Sequence, residues 1–66
     1  MKVLVNGEPR EIAAGSTVAA LLATLDLAGR RLAVEVNGDI VPRSRHAQAV
    51  LQENDRVEIV HAIGGG

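Results

Sequence analysis

Apolar and polar positions alternate along three stretches of the chain and follow a helical spacing along a fourth. In Met1–Val5, Met1, Val3 and Val5 share one side of a strand and Lys2 and Leu4 the other. The run stops at Asn6-Gly7, a pair suited to the positive φ angles of a tight hairpin turn. Pro9 follows, and Arg10–Ala14 reads as the return strand. With Met1, Val3 and Val5 facing the core, Leu4 faces outward, which makes it a satellite contact or part of a docking patch.

Gly15-Ser16-Thr17 opens a helix, Ser16 or Thr17 being able to accept from its free N–H groups. Val18, Leu21, Leu22 and Leu25 then form one buried stripe at i, i+3, i+4 and i+7, with Ala19, Ala20 and Ala23 between them as strong helix formers. Asp26–Gly29 closes the helix, with Gly29 as its left-handed cap. Arg31–Val36 alternates again, pointing Leu32, Val34 and Val36 inward. Asn37-Gly38 repeats the hairpin signal before a short return strand at Ile40-Val41, which Pro42 ends. Residues 44–51 fit one helical turn or two over the core. Asn54-Asp55 is a turn, Val57–Ile63 the last strand, and Gly64-Gly65-Gly66 follows.

A single helix with one leucine stripe must cover one face of a mixed sheet. The economical arrangement sets the first and last strands side by side as central parallel neighbours, with the helix in the right-handed crossover. This is an α+β, β-grasp (ubiquitin-like) architecture: four to five strands on one main helix, with residues 1–63 as the domain and 64–66 as a flexible glycine tail.

Composition narrows what such a domain does. At 66 residues, 47% hydrophobic and 0% aromatic, the core is aliphatic and small. A net charge of -1 and the lack of aromatic stacking platforms argue against nucleic-acid binding. With no cysteine there is no disulfide, thiolate metal site, cysteine nucleophile or side-chain persulfide. No apolar run approaches the roughly 20 residues of a membrane span, and an early turn rules against a signal peptide, so a cytoplasmic chain is expected.

Side-chain chemistry is sparse. Glu8, Glu11, Asp39, Asp55 and Glu58 read as solvated acids near turns. His46, beside Arg45, reads as a surface residue, and His61 as lying at the rim of the core face. Two histidines alone close no metal site. The end of the sequence is more informative. Glycines lack Cβ, so Gly64–Gly66 make a narrow stalk that reaches about 10 Å at ~3.3–3.6 Å per residue. Such a stalk suits threading into a partner's channel.

With Ile40-Val41-Pro42-Arg43 in the middle and Val57–Gly66 at the end, the sequence resembles the ThiS family, the sulfur carriers of thiamine (thiazole) biosynthesis. Val3-Leu4-Val5-Asn6-Gly7 and Val34-Glu35-Val36-Asn37-Gly38 fit the same pattern, so the likeness spans the chain. The resemblance implies that the Gly66 carboxylate attacks the α-phosphorus of ATP inside an E1-like adenylating partner, ThiF. Sulfur from a persulfide, supplied by a cysteine desulfurase or another donor, then displaces AMP and leaves a thiocarboxylate for thiazole synthase, ThiG. On this reading the chain is a co-substrate with no catalytic residue and no bound cofactor or metal. Gly64 and Gly65 thread the partner's active site, and ATP belongs to the partner.

Docking is expected on the sheet face opposite the helix. Alternation places Glu58, Val60 and Ala62 there on the last strand, Ala33 and Glu35 in the middle, and Leu4 on the first. Val60 is the preferred apolar contact, and Arg43 and Arg45 offer charges to an acidic partner. Alternatives within the class are carriers for molybdopterin synthesis, tRNA thiolation or cysteine synthesis. Outside it stand a protein modifier, for which Lys2 as the single lysine makes chain building awkward, and a binding module with an inert tail.

Overall fold

The structure, a computed structural model, describes residues 1–61. The chain runs β1 (Lys2–Val5), β2 (Glu8–Glu11), α1 (Val18–Thr24), β3 (Leu32–Val36), β4 (Asp39–Val41), a 3₁₀ turn (Arg43–Arg45) and β5 (Arg56–His61). The strands form one sheet in the order β2-β1-β5-β3-β4. β1 and β5 lie parallel at its centre, with Leu4 opposite Arg56 and Val5 opposite Val57. The other three pairings are antiparallel. One helix over a mixed five-stranded sheet is the β-grasp expected from the pattern. The end of the expected last strand and the glycine tail, Ala62–Gly66, lie outside the described residues.

Both Asn-Gly pairs adopt positive φ at both positions, 50° and 86° at Asn6-Gly7 and 53° and 88° at Asn37-Gly38, the geometry that two-residue hairpins require. So tight a turn leaves no spacer, and β2 therefore starts at Glu8, paired with Val5, instead of at Arg10. Its end also comes earlier than expected. Ile12 still donates to the Met1 carbonyl at 2.8 Å, but the Ala13 carbonyl accepts from Ser16 N at 3.1 Å and Ser16 Oγ at 2.6 Å, turning the chain toward the helix. Pro9 is tolerated inside β2 for a reason of register. Met1 and Ile12 exchange both backbone bonds, so alternation leaves Leu4–Pro9 as a non-bonded pair, and the missing N–H faces the free edge.

The core is wholly aliphatic: Val3 and Val5 of β1, Val18, Leu21 and Leu22 of α1, Val34 of β3, Val57 and Ile59 of β5, and Leu51 from the segment before β5. Leu25 and Leu32 pack against it half-buried, as do Met1 and Val36.

Helix α1 is short, and both ends are bonded by identifiable groups. At the N-terminus Ala20 N donates to Thr17 Oγ1 at 3.1 Å, Val18 N to the Ala49 carbonyl at 2.9 Å and Ala19 N to the His46 carbonyl at 2.9 Å. These bonds also explain residues 44–51. The segment is not a helix over the core but a 3₁₀ turn followed by turns, anchored to the start of α1 and completed by a Thr17–Val50 bridge and a bond from Leu51 N to the Ser16 carbonyl at 2.8 Å. At the C-terminus Asp26 N donates to Ala23 O at 3.1 Å and Leu27 N to Leu22 O at 2.8 Å, the paired bonds of a Schellman cap. The left-handed residue of that cap is Asp26, at φ 61°, and not Gly29, which takes φ 82° in the following loop. Asp tolerates this region better than most residues, yet still carries a steric cost that glycine lacks.

Asp26→Gly should accordingly raise unfolding free energy by about 0.5–1 kcal/mol, read as a higher midpoint in thermal denaturation. A lower midpoint would show that the Asp26 side chain contributes more than its backbone strain removes.

Candidate functional site

The strand that leads toward Gly66 is held by two turn asparagines. Parallel pairing with β1 provides bonds from Leu4 N to Asp55 O at 2.9 Å and from Asn6 N to Val57 O at 2.8 Å. Beyond Val57 the backbone of β1 has turned away at Asn6-Gly7. The Asn6 side chain continues the ladder in its place: Ile59 N donates to Oδ1 at 2.7 Å, and Nδ2 donates to the Ile59 carbonyl at 3.2 Å. Asn37 does the same at the start of β5, accepting from Arg56 N at 2.9 Å while donating to Asp55 Oδ1 at 2.9 Å. Each asparagine thus serves twice, as a positive-φ turn residue and as a clamp on β5.

On the open face of the sheet, cross-strand register sets residues in rows. Glu58 of β5 lies opposite Glu35 of β3, which lies opposite Ile40 of β4. In the adjacent row Val60 lies opposite Ala33. On the other side Arg56 lies beside Leu4, whose β2 partner is Pro9. Val60 is 59% exposed and Ile40 71%, while Leu4 and Glu35 are half-buried. The structure therefore brings together five of the sequence-predicted docking residues: Leu4, Ala33, Glu35, Glu58 and Val60. Ala62, expected on the same face, falls outside the described residues, as do Gly64, Gly65 and Gly66.

Arg43 stands apart. It lines a hollow with Ala19, Leu22 and His46 on the helix side of the sheet. His46 is not a surface residue. It is 9% exposed, and its Nε2 lies 3.0 Å from the Val41 carbonyl, a group that only accepts, so Nε2 carries the proton of that bond. The 3₁₀ turn after Pro42 swings it inward, where its own carbonyl meets α1. His61 continues the helix-facing row of Val57 and Ile59 but is exposed at the sheet's end. Among the described residues no three His, Asp or Glu side chains gather as a metal site, and no helix is long and apolar enough to cross a membrane.

Residues 3–66 match the model of the ThiS family. The chain belongs to the ThiS family. The chain is 38% identical over 66 residues to the sulfur carrier protein ThiS of Escherichia coli, covering 100% of both. The crystal structure of a thiamine biosynthesis protein, ThiS, from Geobacter metallireducens superposes with a TM-score of 0.86 at 32% identity, again over 100% of each chain. A thiazole synthase from Paramagnetospirillum magneticum is 48% identical over the same 66 residues, which make up 20% of that protein. The chain thus spans about a fifth of the length of the thiazole synthase it matches.

Two features of this ThiS-family site escape the pattern of the sequence. Ile40 reads there only as part of a short strand. Its outward direction follows from the two-residue turn, which fixes Val36 opposite Asp39 and Glu35 opposite Ile40. The clamping role of Asn6 leaves no local signal, because its partner Ile59 lies 53 residues away.

Substitution separates the two roles of Asn6. Asn6→Gly keeps the turn and loses both bonds to Ile59, so it should cost about 1–2 kcal/mol in denaturant unfolding and speed exchange of the Ile59 amide. Asn6→Ala should cost more, because it also places a Cβ at φ 50°. Equal stability of the three proteins would show that the clamp contributes nothing.

Proposed function

We propose that this chain is a sulfur carrier in thiamine biosynthesis, acting as a co-substrate whose reactive group is the carboxylate of Gly66. The observation that carries the reading is family membership along residues 3–66, glycines included. A carboxylate resists attack by a sulfur nucleophile, since its negative charge repels the nucleophile and oxide is a poor leaving group. Adenylation solves both problems at once. The carboxylate oxygen bonds to the α-phosphorus of ATP with release of pyrophosphate, and AMP then departs when sulfur attacks the carbonyl carbon. With a persulfide as donor, this attack gives an acyl persulfide; a thiol then attacks the donor's own sulfur, breaking the S–S bond, forming a disulfide and releasing the terminal thiocarboxylate. An E1-like adenylating enzyme of the ThiF type supplies the catalytic groups, a persulfide from a cysteine desulfurase or similar donor supplies the sulfur, and thiazole synthase consumes it.

The identity with a thiazole synthase supports that last partner, because a carrier-like unit and the synthase are there parts of one polypeptide. Gly64 and Gly65 give the stalk its narrow profile, and no side chain hinders entry into a closed active site. The open face around Val60, Glu58 and Leu4 is the surface that seats the domain while the stalk is engaged. Val60 is the apolar contact within it, since burial in the core does not account for a β-branched residue exposed there.

Incubation with a ThiF-type enzyme, ATP, a persulfide donor and a thiol reductant should replace one oxygen of the chain by sulfur, seen by intact-mass spectrometry and mapped to the C-terminal peptide. Deletion of Gly66 should abolish the change. An unmodified wild-type mass under conditions where the enzyme loads an established ThiS would overturn the reading. Val60→Gln should leave unfolding free energy within about 1 kcal/mol, as expected for an exposed strand position, while raising the KM for the carrier. A fall in kcat at unchanged KM would place Val60 outside the docking surface.

A further inference from the structure

The open face carries an electrostatic conflict that the isolated domain does not resolve. Glu35 and Glu58 are directly opposed on neighbouring antiparallel strands, a placement that holds Cβ atoms about 4.5–5.5 Å apart and makes like charges destabilising. Neither carboxylate forms an ion pair among the described residues, where the single such contact joins the Met1 amine to Glu11. Arg56 lies on the same face two residues before Glu58, and it too is without an ion pair there. Exposed apolar groups flank the acidic pair, with Ile40 at one end of its row and Val60 with Ala33 in the next.

We infer that the Glu35–Glu58 pair is the recognition point for an arginine presented by the protein that docks on this face, with Ile40 and Val60 making the apolar contacts around it. The inference rests on the carrier reading above and names the chemistry of its partner. A guanidinium is suited to the place: it is planar, permanently charged, and has enough donors to bond two carboxylates simultaneously. Seating it removes the repulsion between the acids, so the domain is relieved on docking of a conflict it carries when free. The apolar flanks keep water from the contact, which strengthens its electrostatics. A neutral or acidic partner surface would leave both carboxylates unpaired at a closed interface, at a cost that discriminates against it.

Two variants, Glu35→Gln/Glu58→Gln and Glu58→Lys, test this with the full chain and the adenylating enzyme as the probe. Melting temperature, the KM and kcat for carrier loading, and the dependence of KM on ionic strength are measured together. Removing the repulsion should raise the melting temperature by a few degrees, and Glu58→Lys should raise it further by creating a cross-strand pair with Glu35. Both should increase KM about tenfold or more at low salt, with kcat at saturation nearly unchanged, and the rise of KM with salt expected of the wild type should flatten. Opposite signs on stability and docking are the signature, since a merely structural pair would move the first alone. KM within twofold of wild type in both variants, whatever the melting temperature does, would overturn the inference while leaving the carrier reading intact. Failure of the wild type itself to be loaded would overturn the two together.

Discussion

The parallel contact between β1 and β5 is the constraint on which the rest of this fold depends. It joins Leu4 and Val5 to Arg56 and Val57, residues about as far apart in sequence as the domain permits. Parallel neighbours cannot be joined by a hairpin, so somewhere between them the chain must cross a face of the sheet. The helix is the element that makes this possible, crossing one face and burying Val18, Leu21 and Leu22 against both central strands. Without aromatic residues, closure of that core relies on many small aliphatic contacts, with Val3 and Val57 fully buried at the parallel seam. The seam has few backbone bonds, and the Asn6 amide extends it beyond the end of β1, while the Asn37 amide holds the start of β5 from the β3 side.

A second constraint follows from the shortness of α1. A helix of seven residues leaves a large share of its backbone groups outside the intrahelical ladder. Here the His46 and Ala49 carbonyls take two of its first N–H groups, and the loop that brings them also contributes Leu51 to the core. His46 secures that loop from the other side through the Val41 carbonyl. The stretch between β4 and β5, which has no regular structure beyond one 3₁₀ turn, is thus part of the core's architecture.

Alternation and turn chemistry made the sheet legible in advance. The Asn-Gly pairs marked both hairpins, the Val18/Leu21/Leu22 stripe marked the helix, and Val57 and Ile59 marked the inward face of β5. The faces came out as expected, which is why Leu4, Glu35, Glu58 and Val60 lie together. What failed were features set by partners distant in sequence. His46 carries no sign of burial, because that depends on a 3₁₀ turn packing beside α1. Gly29 offered the obvious left-handed cap, yet the helix stops earlier, where Leu27 reaches the core and Asp26 accepts the strained φ. The start of β2 was misplaced because Pro9 looks like an interruption until its edge-facing register is known. The assignment of chemistry to Gly66 rests on resemblance alone, since glycines report freedom and not purpose.

Stability and use pull the open face in different directions. A domain of this size has little surplus stability, so a repulsive carboxylate pair and exposed Ile40 and Val60 are costs that substitution by Thr or Lys would remove. In the interior there is no such conflict, since no buried side-chain nitrogen or oxygen in the described residues is left without a partner. A surface that is suboptimal alone over a satisfied interior is expected where selection has acted on a complex and not on the free chain. On the carrier reading proposed above, discrimination between partners resides in the open face, because glycines carry no side chain for a partner to read.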